Sequence, residues 1–171
     1  MKTKGKRRAN GQRGAVLVEL AYLLPVFTLL FVGVFDVGRG FYYAVEVSNA
    51  ARAGAQYGYQ SSGTMMDTTG IQNAALKDGA DIGTTSGGSC SVSACWNSSY
   101  PKSSWGCMCS DGTQKSTSCA SPPGSNCSSG TRQVNYVDVQ TQATYKPMIS
   151  WPGIPSSGVT LSGETLLWAG Q

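Results

Sequence analysis

The 171-residue chain contains no histidine. That absence removes Ser-His-Asp and Cys-His nucleophilic machinery, and it deprives any zinc site of its commonest nitrogen ligand. Charge is scarce too, at 13% of residues, against roughly 25% in ordinary soluble domains. Only nine acidic residues are present. Asp78 and Asp81, three apart, read as a solvated helix face rather than a paired acid and base. No G-x-x-x-x-G-K-[ST] segment occurs, so the phosphate cradle of a P-loop is missing. The expectation is a non-catalytic chain with no cofactor and no metal.

The basic residues are unevenly placed. Lys2, Lys4, Lys6, Arg7, Arg8 and Arg13 all precede residue 14, and the body that follows is slightly acidic. A nucleic-acid binder spreads positive charge over its folded surface, so no nucleic-acid partner is expected.

Residues 15–35, AVLVELAYLLPVFTLLFVGVF, are almost wholly apolar. As a helix rising about 1.5 Å per residue they extend roughly 31 Å, the thickness of a bilayer core. A basic tail before the run predicts a cytoplasmic N-terminus and an external C-terminus. A cleaved secretory signal has a shorter apolar core and a small-residue site just after it. Here the nearest A-x-A patterns, Ala51–Ala53 and Ala53–Ala55, lie well beyond. Glu19 interrupts the apolar run near its start. A carboxylate at that depth needs a headgroup, a water path or a positive partner.

Beyond the membrane run, Val37, Phe41, Val45, Ser48, Ala51 and Ala55 recur at helical steps. Ala50 and Gly54, like Ala51 and Ala55, are four apart, a spacing that lets helices approach closely. That spacing serves packing against another subunit or against the chain's own outer domain. Asp67 can cap a helix over 68–82 with Ile71, Ala74, Ala75 and Leu76 inward. Thr28 lies near enough to Pro25 to help the carbonyl that the proline leaves unpaired.

All six cysteines, Cys90, Cys95, Cys107, Cys109, Cys119 and Cys127, fall in a Ser/Gly/Thr-rich stretch without periodicity over about 83–131. An even count in an exported segment predicts disulfides. Cys107 and Cys109 lack the C-x₂-C spacing of a zinc ligand pair, and they are expected to pair outward rather than with each other. Trp96, Tyr100 and Trp105 lie among them, either as a small core or as an exposed recognition patch. Val137, Val139, Thr141, Ala143 and Tyr145 alternate with polar residues, which predicts a strand over 134–145. A second strand is expected over 159–169, with an irregularity at Gly163.

Taken in order, Arg13-Gly14, Val18-Glu19-Leu20-Ala21, Leu24-Pro25, Gly38-Arg39 and Asn49-Ala50-Ala51-Arg52-Ala53-Gly54-Ala55 resemble the TadE-like pseudopilin and minor-pilin family of the tight-adherence (Tad) pilus system. The resemblance covers 13–58. It implies a type IV prepilin-class leader cut between Gly14 and Ala15, which places a new amine near Glu19. It further implies a structural subunit for pilus assembly and surface adhesion; the alternative reading is a membrane-anchored or pilus-tip adhesin with the cysteine-rich stretch as its recognition region. The implied site is the bacterial inner membrane, crossed once, with passage into an extracellular pilus. The implied partners are a prepilin peptidase, Tad platform proteins with their assembly ATPase, other pseudopilins and pilin subunits. TadE-like proteins also end in a strand pair joined by a proline-containing turn.

The expected fold class is α+β: a long N-terminal hydrophobic, pilin-like helix, then a small disulfide-stapled outer domain with a C-terminal antiparallel strand pair. The expected segments are a leader at 1–14, a helix at 15–58 and an outer domain at 59–171.

Overall fold

The computed structural model describes residues 10–84, 92–119, 125–150 and 152–169. One long helix, α1, runs Asn10–Tyr59. Two short helices follow, α2 over Ser62–Met66 and α3 over Thr68–Asp78. Five strands then form a single sheet: β1 Gly83–Thr84, β2 Ala94–Trp96, β3 Lys102–Cys109, β4 Gln133–Tyr145 and β5 Val159–Ala169. The chain is thus α+β, an apolar helix followed by a disulfide-bonded, mainly antiparallel sheet domain.

Contacts divide the chain between Arg39 and Gly40. The last five turns of α1 therefore belong to the outer unit, whose boundary falls well before residue 58. Within the first unit, Val16, Leu17, Leu20, Val26, Leu29, Phe31, Val34 and Phe35 are all exposed, and apolar side chains ring the helix. A helix apolar all round and uncovered by its own chain suits lipid. Pro25 lies inside it. The Thr28 hydroxyl donates at 2.8 Å to Leu24, not to the carbonyl of Ala21 that Pro25 leaves free. In a helix a threonine hydroxyl reaches the carbonyl three or four positions before it, and Ala21 is too far back.

In the outer unit, β4 is the spine. β5 pairs antiparallel along its whole length, from Asn135↔Ala169 to Tyr145↔Val159. The other edge of β4 is shared end to end by β3, from Cys109↔Gln133 to Lys102↔Gln140, and β2, with Ala94↔Tyr145. β1 adds a short parallel pairing to β2. Three strands therefore lie inside the stretch that reads from sequence as an aperiodic, cross-linked insertion. β2 and the second half of β3 are buried at successive positions, so no alternation marks them.

Odd-numbered positions of β4 face the helices. One core cluster joins Val47 and Ala50 of α1, Ala75, Ile82, Ala94, Trp96, Ala143 and Tyr145. A second joins Ala51 and Ala55 to Met65, Ile71, Val137 and Val139. A Cβ on Gly54 would lie 3.0 Å from the Ile71 carbonyl and 3.2 Å from Val139. The small residues at 50, 51, 54 and 55 thus let α1 lie close against its own α3 and sheet. Of the two uses their spacing allows, the structure takes the second. Within the chain itself all four are buried. Of the expected stripe, Ala51 and Ala55 are fully buried, whereas Val37, Phe41 and Val45 remain exposed, Phe41 at 71%.

Gly163 causes no break in the strand ladder, since Thr141↔Gly163 continues the register. Its role is close approach. A Cβ there would sit 2.8 Å from Ser48 Cα, the Val47 carbonyl and the Thr141 hydroxyl.

The helix pair is locked at both ends. Asp67 caps α3 by accepting from the Gly70 amide at 2.8 Å and also accepts from the Tyr57 hydroxyl at 3.1 Å. At the far end Tyr42 donates to Asp81 at 2.6 Å. The predicted helix over 68–82 stops at Asp78, and Ile82 turns into the core. Before it, Ser61 and Thr64 form a reciprocal cap on α2.

Candidate functional site

Two regions carry candidate function: the start of α1 and the disulfide-bonded face of the sheet.

Gly14, Ala15 and Glu19 lie on α1, all exposed. A Cβ on Gly14 would meet nothing within 4 Å, so packing does not call for a glycine here. What glycine does supply is a locally weaker helix, by about 1 kcal/mol against alanine. Glu19 stands five residues into the chain that cleavage would leave. Among the described residues it has no ion-pair or hydrogen-bond partner, so any compensating charge must come from elsewhere. The basic residues 2–8 lie outside the described residues.

On the outer domain, Cys107 is bonded to Cys119 and Cys109 to Cys127. Cys107 and Cys109 are alternate residues on the same face of β3, so their bridges leave that face in parallel. Cys95 is also disulfide-bonded. Cys90 lies outside the described residues. The two bridges fold the segment after β3 back across the sheet, where Ser116 pairs with Cys107. Beneath it a third cluster forms from Met108, Val134 and Tyr136, with Leu166 packed against it.

That same fold-back carries Lys115 to Asp138, Nζ to Oδ2 at 2.6 Å. The ammonium also lies 4.8 Å from the Tyr136 ring centroid. Asp138 is 5% exposed, and its Oδ1 has no hydrogen-bond partner. Its place in the strand alternation reads as solvent-facing, and nothing in the local sequence signals that a loop 23 residues earlier covers it.

The aromatic patch does not assemble. Trp96 is 3% exposed, within the helix–sheet core, because its position on β2 faces the helices. Trp105 packs half-buried against the second core cluster. Tyr100 is half-buried, with Lys102 Nζ 4.6 Å from its ring centroid. Among the described residues no group of three or more Cys, Asp or Glu could hold a metal ion.

The chain thus falls in the class of α+β proteins with one long, membrane-compatible apolar helix and a disulfide-bonded sheet domain. The model of the TadE-like protein family matches residues 14–56, a quarter of the chain. Over that segment the chain is similar to TadE-like proteins. The matched segment runs from Gly14 through Glu19 to the buried small residues of α1. No curated protein and no solved structure matches the chain.

Proposed function

We propose that this chain is a minor pilin or pseudopilin of the Tad system, a structural rather than catalytic subunit that takes part in pilus assembly and surface adhesion. The basic leader stays in the cytoplasm and residues 15–35 occupy the inner membrane. The outer domain matures outside, where an oxidising compartment permits its disulfides. A prepilin peptidase cuts between Gly14 and Ala15. Platform proteins and their ATPase then draw the subunit into a complex with other pseudopilins and pilin.

The observation that carries this reading is Glu19. It is exposed in an apolar girdle, has no partner among the described residues, and sits five residues after an exposed glycine that packing does not require. A freshly released α-amine on its own or a neighbouring chain would neutralise it. Intact-mass measurement of the chain from piliated cells tests this, with a mature start at Ala15 expected. A start at Met1, or beyond residue 35, overturns it. Glu19→Leu is expected to leave membrane insertion intact while the chain disappears from the sheared pilus fraction.

A further inference from the structure

A cleft of about 330 Å³, bordered by residues with polar side chains, lies along β3 and β4. Register sets Lys102 opposite Gln140 and Ser104 opposite Asp138, so these four side chains rise from one face of the sheet. Ser103, opposite Val139, and Gln72 of α3 border it from the helix-facing side, round the free edge of β3. Each of the six residues carries hydrogen-bonding groups, and none is aliphatic or aromatic. An apolar occupant would strand those groups without partners.

We propose that this cleft binds a neutral, hydroxyl-rich sugar, with Asp138 Oδ1 as its principal acceptor. The chemistry narrows the ligand in steps. A buried carboxylate oxygen without a donor is costly and rare in folded proteins. An ionised carboxylate only accepts, so whatever completes it must bring hydrogens. Inorganic phosphate and other acceptor-dominated anions are poor candidates for that reason. A cation is disfavoured from the other side. Lys115 already sits 2.6 Å from Oδ2, and Lys102 lines the cleft.

What remains is a neutral donor, and one hydroxyl is too few. The Gln140 amide and the Ser104 hydroxyl offer donors and acceptors on the same face as Asp138, which adjacent sugar hydroxyls match in kind. The cleft volume is at the lower end for small-molecule sites, near 300 Å³, which suits one or two sugar rings. The last torsion of an aspartate is broad, so Oδ1 can tilt toward a ligand while Oδ2 keeps Lys115. Lys102 Nζ also lies 4.6 Å from the Tyr100 ring centroid.

The site would give the adhesive part of the proposed function its ligand class, yet it depends on the outer domain alone. Its failure leaves N-terminal processing untouched, and the reverse holds as well. The experiment is ligand-observed NMR on the full chain in a detergent without sugar headgroups. Methyl α-mannoside, methyl β-galactoside, methyl β-glucoside and N-acetylglucosamine are each titrated, with ethanolamine and inorganic phosphate as separate arms. At least one sugar is expected to bind, and Gln140→Ala and Asp138→Asn to weaken it about tenfold or more, the loss of one good hydrogen bond. Gln140 is exposed, so its variant keeps the fold if Asp138→Asn does not, and Ser104→Ala adds a third reading. The proposal is overturned if no sugar binds, if Gln140→Ala and Ser104→Ala bind as tightly as the parent, or if ethanolamine or phosphate binds at these residues instead.

Discussion

The Thr141 hydroxyl of the central strand donates to the Val47 carbonyl of the long helix at 2.7 Å, across 94 residues of sequence. The same hydroxyl lies 3.2 Å from the Gly163 carbonyl of the neighbouring strand. Helix, central strand and outer strand therefore meet at one buried polar point, and Gly163 makes room for it. Gly163→Ala would push a methyl against backbone atoms of Val47 and Ser48 that cannot yield. Overpacking of that kind costs about 1–3 kcal/mol. Thr141→Val removes only the hydrogen bond, about 1 kcal/mol. Urea unfolding of the full chain in micelles should rank the parent above Thr141→Val, and Thr141→Val above Gly163→Ala.

Why some of this is legible in the sequence and some is not follows from the range of the forces. β4 shows itself because Val137 to Tyr145 alternate against a one-sided core. The apolar helix shows itself by length alone, and Asp67 because a cap is a local bond. The orientation of α1 in the outer domain does not. Val37, Phe41 and Val45 continue the spacing of Ala51 and Ala55, yet of that stripe α3 and the sheet cover only the small distal residues. β2 and β3 are hidden because burial on successive positions erases the period. The Lys115–Asp138 pair depends on where two disulfides bring a loop, and six cysteines in sequence do not reveal that.

Trp96 belongs to the core, so its truncation is a stability experiment. Trp96→Ala is expected to cost about 3–5 kcal/mol by cavity formation. Tyr100→Ala, at a half-buried position under Lys102, should cost far less. Thermal melts of both variants check this. A Trp96→Ala protein as stable as the parent would contradict its burial in the helix–sheet core.

Lys115 and Asp138 form an asymmetric pair, the lysine side chain 40% exposed and the aspartate side chain 6%. Removing the lysine leaves a buried carboxylate with neither oxygen paired. Lys115→Met should therefore destabilise the outer domain by about 1–3 kcal/mol. The double variant Lys115→Met, Asp138→Leu should recover much of that, since an apolar replacement removes the orphaned charge. Denaturant midpoints of the two variants decide the point. Equal stability of the single variant and the parent would mean that Asp138 does not rely on Lys115.

Tyr42 should titrate late. Its phenol is pushed up to about 12, chiefly by the hydrogen bond it gives Asp81 and then by its removal from water and the Asp81 charge. The neutral phenol is the form the folded chain favours. The Tyr42–Asp81 contribution to stability is therefore complete below pH 10, the ordinary tyrosine value, and is lost as pH rises through about 12. Ultraviolet titration should show a late tyrosinate step that Tyr42→Phe deletes and Asp81→Asn moves down toward the ordinary range.

Phe41 and Ala50 lie on opposite sides of one helix, and they separate assembly from folding. Ala50 is fully buried among Val47, Ala75 and Trp96, whereas Phe41 is 71% exposed. Ala50→Leu forces extra methylenes into a closed core, so the outer domain should become less stable by about 1–3 kcal/mol or fail to fold. Phe41→Ser touches nothing that the chain itself packs, and surface changes of this kind stay within about 0.5 kcal/mol. If the exposed stripe of Val37, Phe41 and Val45 is where neighbouring subunits meet in the filament, Phe41→Ser should leave the melting temperature unchanged and still deplete the chain from sheared pili. A Phe41→Ser chain that enters pili at parental levels would assign filament contacts to another face. The comparison is made with whole cells for piliation and with purified chain in micelles for stability, so that a folding defect cannot pass for an assembly defect.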